Sequence, residues 1–545
     1  MIRRGCLLLL VGWTIFGCAP SDPLPLDQIR GSREILLEHY DNHFDADAAM
    51  LRVPFSTPGY HSGVEAGSLV HPTRESLVYA LALLQRGGPG DGARAADVLR
   101  KVVALQDQDE AVATCGIWPW LLEEPIDQMP SPDMNWADFC GATIGQILVE
   151  HADQLPTQLN GDLRGSLRLA AEAIRRRDVG PSYTNIAVLG GGVCAVAGEV
   201  LDDETLLAYG RKRLQGVVWY TQRHGSFTEY NSPPYVKVVV AECERTLQLV
   251  EDDETRAATE IILQKAWQIA AGSFHPATQQ WAGPHARTSR NRLRKSTVEF
   301  LSLRTGVPLT THPTMADGEP RGYAVVKPLP CPQSLVTHFQ KSQDKFRRVA
   351  FIKKDARSEA IVGTTWFSQT ACLGSVSTSS FWTQRKPLIG YWTTAADPAV
   401  VFRLRFLHDG RDFASMGVRS TQEGPRVESA FLPLAGQGDW HPSLDRPTDG
   451  KFHAKDLRIR FELRGSGVAS EIIDDHTFAL RAGTHRVLIQ TRPGRVADQD
   501  VKWQTGGSPD RAFVDGVCYA GDEREFDFST EFPVEIRTEI ELTSN

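Results

Sequence analysis

Midway along this 545-residue chain the spacing of apolar side chains changes, and no feature constrains the fold more. Up to about residue 305, apolar residues recur every three or four positions in segments such as RESLVYALALLQR, LRGSLRLAAEAIRRR and ETRAATEIILQKAWQIAAGSF, separated by short Gly, Pro or Asp breaks. That spacing puts one apolar stripe on each of a series of helices. Helices of this length on short turns pack as antiparallel hairpins in a bundle, a solenoid or a closed toroid. No fixed-period repeat is visible, which disfavours a regular solenoid. Beyond a Pro-rich stretch the spacing becomes two, in runs such as AVVFRLRFLH, DLRIRFELRG and THRVLIQTR that are rich in Val, Ile, Phe and Thr. About two hundred residues of such alternation predict a large antiparallel sandwich. The expected layout is α+β and multidomain: a signal segment over 1–17, a helical domain over 18–310, a linker over 311–345 that packs between the domains, and a β domain over 346–545.

At the amino end, Arg3 and Arg4 precede an apolar run from Leu7 to Phe16, followed by Gly17 and Cys18. The run is a secretory signal too short to span a bilayer. Ile15-Phe16-Gly17-Cys18 resembles the lipobox of bacterial lipoproteins, which implies lipidation at Cys18 and an exported chain held on a membrane by lipid rather than by a span. Ala19, not Asp, follows the cysteine, which in a Gram-negative cell suggests the outer membrane; cell surface and periplasm are the expected compartments. Seven further cysteines, Cys115, Cys140, Cys194, Cys243, Cys331, Cys372 and Cys518, lack CxxC spacing, so a structural zinc site is disfavoured. Cys115 with Cys140 is the first disulfide to test, although buried thiols are the expected state. A formal charge of -8 makes nucleic acid a poor partner. No cofactor is expected; the histidines scattered through the β half leave a structural metal ion an open question.

Four polar and aromatic segments of the helical half are hard to account for as packing. The first, over 115–141, carries Trp118, Trp120, Glu123, Glu124, Asp133, Asn135, Trp136 and Asp138. Tryptophans beside amides and carboxylates suit sugars, whose ring faces stack while their hydroxyls hydrogen-bond; the alternative is that they are core residues. The second, PSYTNIAVL, places Asn185 at a helix start, where it, Thr184 or Ser182 could cap. The third, HGSFTEYNSPPY, runs from His224 to Tyr235 and includes Glu229, Tyr230 and Asn231. The fourth, WAGPHARTSRNR, holds His285, Arg287, Arg290 and Arg292 and could equally be a solvated basic surface.

In their order these segments resemble the toroid-plus-sandwich polysaccharide lyases, a group that includes chondroitin AC, hyaluronate and xanthan lyases and, more distantly, heparinase II/III-like proteins. Asn135-Trp136 matches an Asn-Trp pair on an early toroid helix, Asn185 a catalytic Asn, Gly225-Ser226-Phe227 the core of an Asp-Gly-Ser-Phe loop, Tyr235 the catalytic Tyr, and Ser289-Arg290 the end of a Gly/Arg-rich segment. His224 stands where the group has Asp, and Tyr230 where it has the catalytic His. The resemblance implies an (α/α) toroid of helix hairpins before the sandwich and β-elimination from a polymer containing uronic acids. Asn185, helped by Arg287 or Arg290, would neutralise the carboxylate, and Tyr235 would act as base and acid, with Tyr230 or His224 sharing the role. Trp120, Asn135, Trp136, Glu229, His285 and Arg290 would bind the acidic polysaccharide or oligosaccharide. Two rivals stand beside it: an inverting toroid hydrolase using Glu229 with Asp133 or Asp138, and a noncatalytic glycan-binding lipoprotein.

Overall fold

Short turns fold consecutive helices back on one another, and this alone sets the architecture of the first half. In the computed structural model, residues 26–56, 59–310, 322–353, 359–434, 450–532 and 536–544 are described. Cys18 and the signal-like run, together with the 311–321 portion of the linker, lie outside them. After α1 (Leu26–Asp41) come four hairpins: α2 (Thr73–Arg86) with α3 (Asp91–Val103), α4 (Trp136–His151) with α5 (Thr157–Arg177), α6 (Thr184–Leu201) with α7 (Glu204–His224), and α8 (Pro233–Leu249) with α9 (Asp253–Ser273). The first members, α2, α4, α6 and α8, pack side by side in that order and are followed by α10 (Lys295–Thr305); α3, α5, α7 and α9 form a second layer behind them. Two concentric rows of helices make an (α/α) toroid.

The middle of this arc is α6, apolar on every side and buried nearly throughout. A helix without a polar face belongs inside. Its glycines let the neighbours close in: a Cβ on Gly190 would collide with the Asp138 carboxylate of α4, and one on Gly192 with the Thr246 hydroxyl of α8.

The second half is two antiparallel sheets sharing one core. One is built in the order Lys502–Ser508, Arg511–Asp527, Lys451–Arg464, Val400–His408, Leu388–Trp392, Ala371–Val376, Ile361–Phe367, Lys345–Ile352. The other runs Thr378–Ser380, Met416–Glu423, Arg426–Pro433, Ile536–Ser544, His485–Thr491, Thr477–Ala482, Val468–Ile472. Alternation decides which face is inward. In Lys451–Arg464 the buried apolar residues are Phe452, Ala454, Leu457, Ile459, Phe461 and Leu463. The charged Glu462 is buried as well, and it pairs with Arg403 at 2.7 Å and Arg511 at 2.6 Å.

The linker contains a helix of its own, which its prolines did not announce. Pro332 opens α11 (Gln333–Gln340), whose Val336 and Phe339 are buried; Phe339 meets Phe274 at 5.1 Å and Trp267 at 6.3 Å. All seven cysteines from Cys115 to Cys518 are buried and unpaired, so Cys115 and Cys140 do not form a bridge.

The two halves are joined through the 281–294 segment. His285 and Lys386 exchange backbone hydrogen bonds of 3.1 and 3.0 Å, Thr365 donates to the Gly283 carbonyl at 2.8 Å, Tyr391 donates to the Asn291 carbonyl at 2.5 Å, and Arg292 pairs with Asp397 at 2.8 Å. These contacts carry the 382–386 turn of the β half onto the open end of the helical arc.

Candidate active site

The site is assembled from helix ends. Gly225, at φ +91°, caps α7 in the left-handed region where a Cβ is unfavourable, and Phe227 behind it is buried. This turns the chain so that Glu229 reaches the start of α6. There α6 has no side-chain cap of its own, so its first-turn N–H groups are open to a carboxylate. Glu229 Oε2 accepts from the Asn185 backbone N–H at 2.8 Å and from Asn185 Nδ2 at 2.6 Å, and its Oε1 pairs with Arg287 Nη1 at 2.8 Å. Ser232, Pro233 and Pro234 then start α8, the proline φ being preset for a first turn, and Tyr235 follows at once.

Asn231, at φ +48°, ties this loop to the fourth segment. Its Nδ2 donates to the Ala282 and Pro284 carbonyls at 2.7 and 2.8 Å, and its Oδ1 accepts from the Trp281 indole at 2.5 Å. Arg287 is thereby delivered over Tyr235, its guanidinium carbon 4.3 Å from the ring centroid, with the rings of Trp382 at 5.5 Å and Tyr183 at 5.6 Å around it. Arg287 Nε donates to Gln384 Oε1 at 3.2 Å.

The first segment forms a wall nearby. Trp120 and Trp136 stack at 4.9 Å, His61 lies 5.1 Å from Trp120, and Tyr60 lies 4.1 Å from His61. Glu124 holds this outer loop by accepting from the Gly63 N–H at 2.7 Å. Arg177 donates to Asn135 Oδ1 at 2.7 Å, and Asn135 Nδ2 donates to Asp133 at 2.7 Å and reaches the Tyr183 hydroxyl at 3.5 Å. Tyr183 is thus shared between the wall and Arg287. Tyr60, His61, Trp120, Asn135, Trp136, Arg177, Tyr183, Tyr235, Arg287, Trp382 and Gln384 are all half-buried; Tyr183, Arg287 and Trp382 line one cavity, and Tyr235 and Gln384 line its neighbour.

Electrostatics divide the expected residues. Burial pushes the Tyr235 phenol up to about 12 even though Arg287 pulls it down. A lowered phenol is what base catalysis asks for, and the cation is in place, but Glu229 offsets it. Burial opposes the charge on Arg287, yet Tyr235, Glu229 and Tyr183 together hold its pKa above the ordinary guanidinium value. Burial pushes His285 down to about 4, and its Nδ1 is 2.7 Å from the Asn231 carbonyl oxygen, so this ring is neutral and serves the loop.

Several sequence expectations are relocated. Asn185 is 1% exposed and both its donors go to Glu229, so it does not face a bound carboxylate directly; the open N–H groups of α6 draw Glu229 into the space between. Tyr230 is buried, its ring stacked at 4.3 Å on Phe351 of the β half. His224 is buried at the end of α7 against Tyr220, at 4.3 Å between rings. Tyr230 still lines a cavity together with Glu229, Tyr183 and Arg287, whereas His224 lines neither that cavity nor the one at Tyr235. Arg290 is exposed, at the mouth of a neighbouring cavity. Trp118 is a core residue donating to the Val102 carbonyl at 3.0 Å. For the hydrolase, Glu229 is held in its ion pair, and Asp138 lies within helix packing, lifted by burial to about 7 and 3.9 Å from Arg213. Sequence reasoning missed Tyr60, His61 and Arg177, which lacked a motif, passed over Tyr183 within the PSYTNIAVL segment, and missed Trp382 and Gln384, which come from the other half. The only signal for the last two was a Trp in a turn-like stretch between strands.

The fold and site together define a helical-toroid and β-sandwich protein with an aromatic, arginine-centred cleft between its halves. Residues 37–303 match the profile of a domain of unknown function (DUF8769). No curated protein matches the sequence. Among solved structures, the chain is similar to a heparinase III gene product (11% identity, TM-score 0.36, covering 96% of this chain and 85% of that one). It is also similar to a heparan sulfate lyase from Pedobacter heparinus (9%, 0.33, 96% and 84%) and to alginate lyase A1-III from Sphingomonas species A1 (12%, 0.31, 55% and 95%). Likeness at this level assigns neither site nor activity.

Proposed function

We propose that this protein is a polysaccharide lyase acting on a polymer that contains uronic acids. The observation that carries the reading is the Arg287 guanidinium lying 4.3 Å over the Tyr235 ring, the two residues lining neighbouring cavities, with Tyr183 connecting Arg287 to Asn135 beside the stacked Trp120 and Trp136. In β-elimination the proton on the carbon beside the carboxylate is removed, its electron pair forms the new double bond, and the bond to the leaving sugar oxygen breaks. Negative charge grows on the carboxyl group, and Arg287 is the preorganised donor placed to meet it. Asn185 acts through Glu229: it fixes the carboxylate that fixes Arg287. Tyr235 moves the protons, first as base and then as acid to the leaving oxygen. A phenol of pKa about 12 is ionised to only about one part in a hundred thousand at neutral pH. The rate is therefore expected to climb with pH, about tenfold per unit from about pH 7 to 10.

The test is incubation with a panel of acidic polysaccharides, read by the ultraviolet absorbance of an unsaturated uronide. Tyr235→Phe should abolish it with the fold unchanged. Near-normal activity in that variant would remove Tyr235 from the mechanism; reducing ends without the absorbance would replace lyase by hydrolase. The enclosure of Asn185 behind Glu229 favours one second reading, a noncatalytic glycan receptor using the same wall, and binding without products would establish it. The reading includes export and lipid attachment at Cys18, tested by mass spectrometry of the purified native protein; an unmodified Cys18 in a chain that retains residues 1–17 would refute it.

A further inference from the structure

Beside the cleft lies a cavity of about 250 Å³ whose lining includes Arg74, Lys237, Arg290, Arg292 and Arg294 and, among the described residues, no Asp or Glu. That is a marked concentration of positive charge in a chain of net charge -8. Tyr235 and Gln384 also line it, and both touch Arg287, so it opens off the cleft rather than elsewhere on the molecule. Arg292 is committed to Asp397, and Lys237 donates to the Ser296 carbonyl at 2.9 Å. Arg74 is different. Its guanidinium lies over the Phe139 ring, 3.9 Å from the centroid, and among the described residues nothing accepts a hydrogen bond from it. A guanidinium carries five donors in a planar fork that fits an oxyanion, and the aromatic ring beneath holds the fork still without spending any of them. Half-buried donors left unspent at the wall of a cavity favour an anion there.

We propose that this cavity is an anion subsite that receives a compact oxyanion borne by the polymer, a sulfate ester or a second uronate, one position away from the sugar at Arg287. The assignment rests on the lyase reading for the identity of the polymer but not for the existence of the site. It makes the preferred substrate one with anionic groups on successive residues, since one charge sits at Arg287 while another occupies the cavity.

The experiment is calorimetric titration of the intact protein with inorganic sulfate and, separately, with sodium glucuronate at low ionic strength, without turnover. Saturable binding of either probe at a site that depends on Arg74 is expected, and which of them binds more tightly at that Arg74-dependent site names the substituent. Arg74→Met, which keeps the aliphatic bulk against Phe139 but removes the fork, should weaken it by about tenfold or more, as loss of a charge-assisted pair does. Lys237→Met gives a second, independent loss should the first variant fold poorly. Absence of saturable binding by both probes, or wild-type affinity in both folded variants, overturns the proposal. Sulfate binding in a protein that yields no unsaturated product keeps the subsite and sinks the lyase; the converse result sinks the subsite alone.

Discussion

Glu229→Gln is the substitution that most directly tests how the site is held together. The wild-type carboxylate accepts three hydrogen bonds, two from Asn185 at 2.8 and 2.6 Å and one from Arg287 at 2.8 Å, and is 6% exposed. An amide of the same shape has one acceptor oxygen and one donor nitrogen. Whichever way it turns, the nitrogen faces a donor: Asn185 on one side or Arg287 on the other. Removing one partner of a buried ion pair costs about 3–5 kcal/mol, and each unmade charge-assisted bond about 1.5–3 kcal/mol. Arg287 keeps some contact with water, its side chain being 21% exposed, so the expected loss is at the lower end, about 2–4 kcal/mol. Urea unfolding followed by helical circular dichroism measures it. The same change frees the positive charge of Arg287, so the Tyr235 phenol should fall from about 12. Phenolate absorbance on alkaline titration, taken as the difference from Tyr235→Phe, reports this one ring among eleven tyrosines. A stability loss under about 1 kcal/mol, or a Tyr235 titration that does not move, would refute the idea that Glu229 clamps Asn185 to Arg287.

Other outcomes follow from the same contacts. Arg287→Met should raise the Tyr235 pKa further, because the cation that opposes burial is gone, and on the lyase reading should reduce turnover by about a hundredfold or more; an unchanged rate would remove Arg287 from charge stabilisation. Gly190→Ala should destabilise the helical half by about 1–3 kcal/mol, since the new methyl group enters the space of the Asp138 carboxylate and lies 2.9 Å from Ile174; wild-type stability would show that α4 and α6 can move apart freely. Trp136→Ala should weaken oligosaccharide binding about tenfold through lost ring stacking, and unaltered affinity would place the sugar elsewhere. Lys386, at the junction of the halves, is pushed by burial down to about 7 from 10.5. Its folded pKa lies below the unfolded one, so the unfolded chain binds more protons between them; the cost of burying this amine is present in full below pH 7 and shrinks as pH rises from 7 toward 10.5. Lys386→Met should therefore stabilise the protein at about pH 6 and flatten that rise, by at most about 1.4 kcal/mol per pH unit; an identical slope in both proteins would contradict it.

The two halves were legible in the sequence because each depends on a local rule. A three-to-four spacing buries one stripe of a helix and an alternating spacing one face of a strand, and Gly225 and the paired Pro233-Pro234 mark where α7 stops and α8 starts whatever lies around them. The same locality brought Asn185 and Tyr235 to notice, each in a polar segment at a helix start, and Arg287 in a basic run that precedes α10. What those residues do to one another was not legible. Glu229 and Asn185 are forty-four positions apart, and Arg287 and Gln384 ninety-seven, so whether an amide meets solvent or a carboxylate is decided by how α6, the 225–235 loop and the 382–386 turn come together. The Tyr235 pKa has the same origin, since burial and a neighbouring charge are properties of the assembled cleft. A side chain's chemistry belongs to the sequence, but its partners, and with them its charge and its access to a ligand, belong to the packing of segments that no local pattern connects.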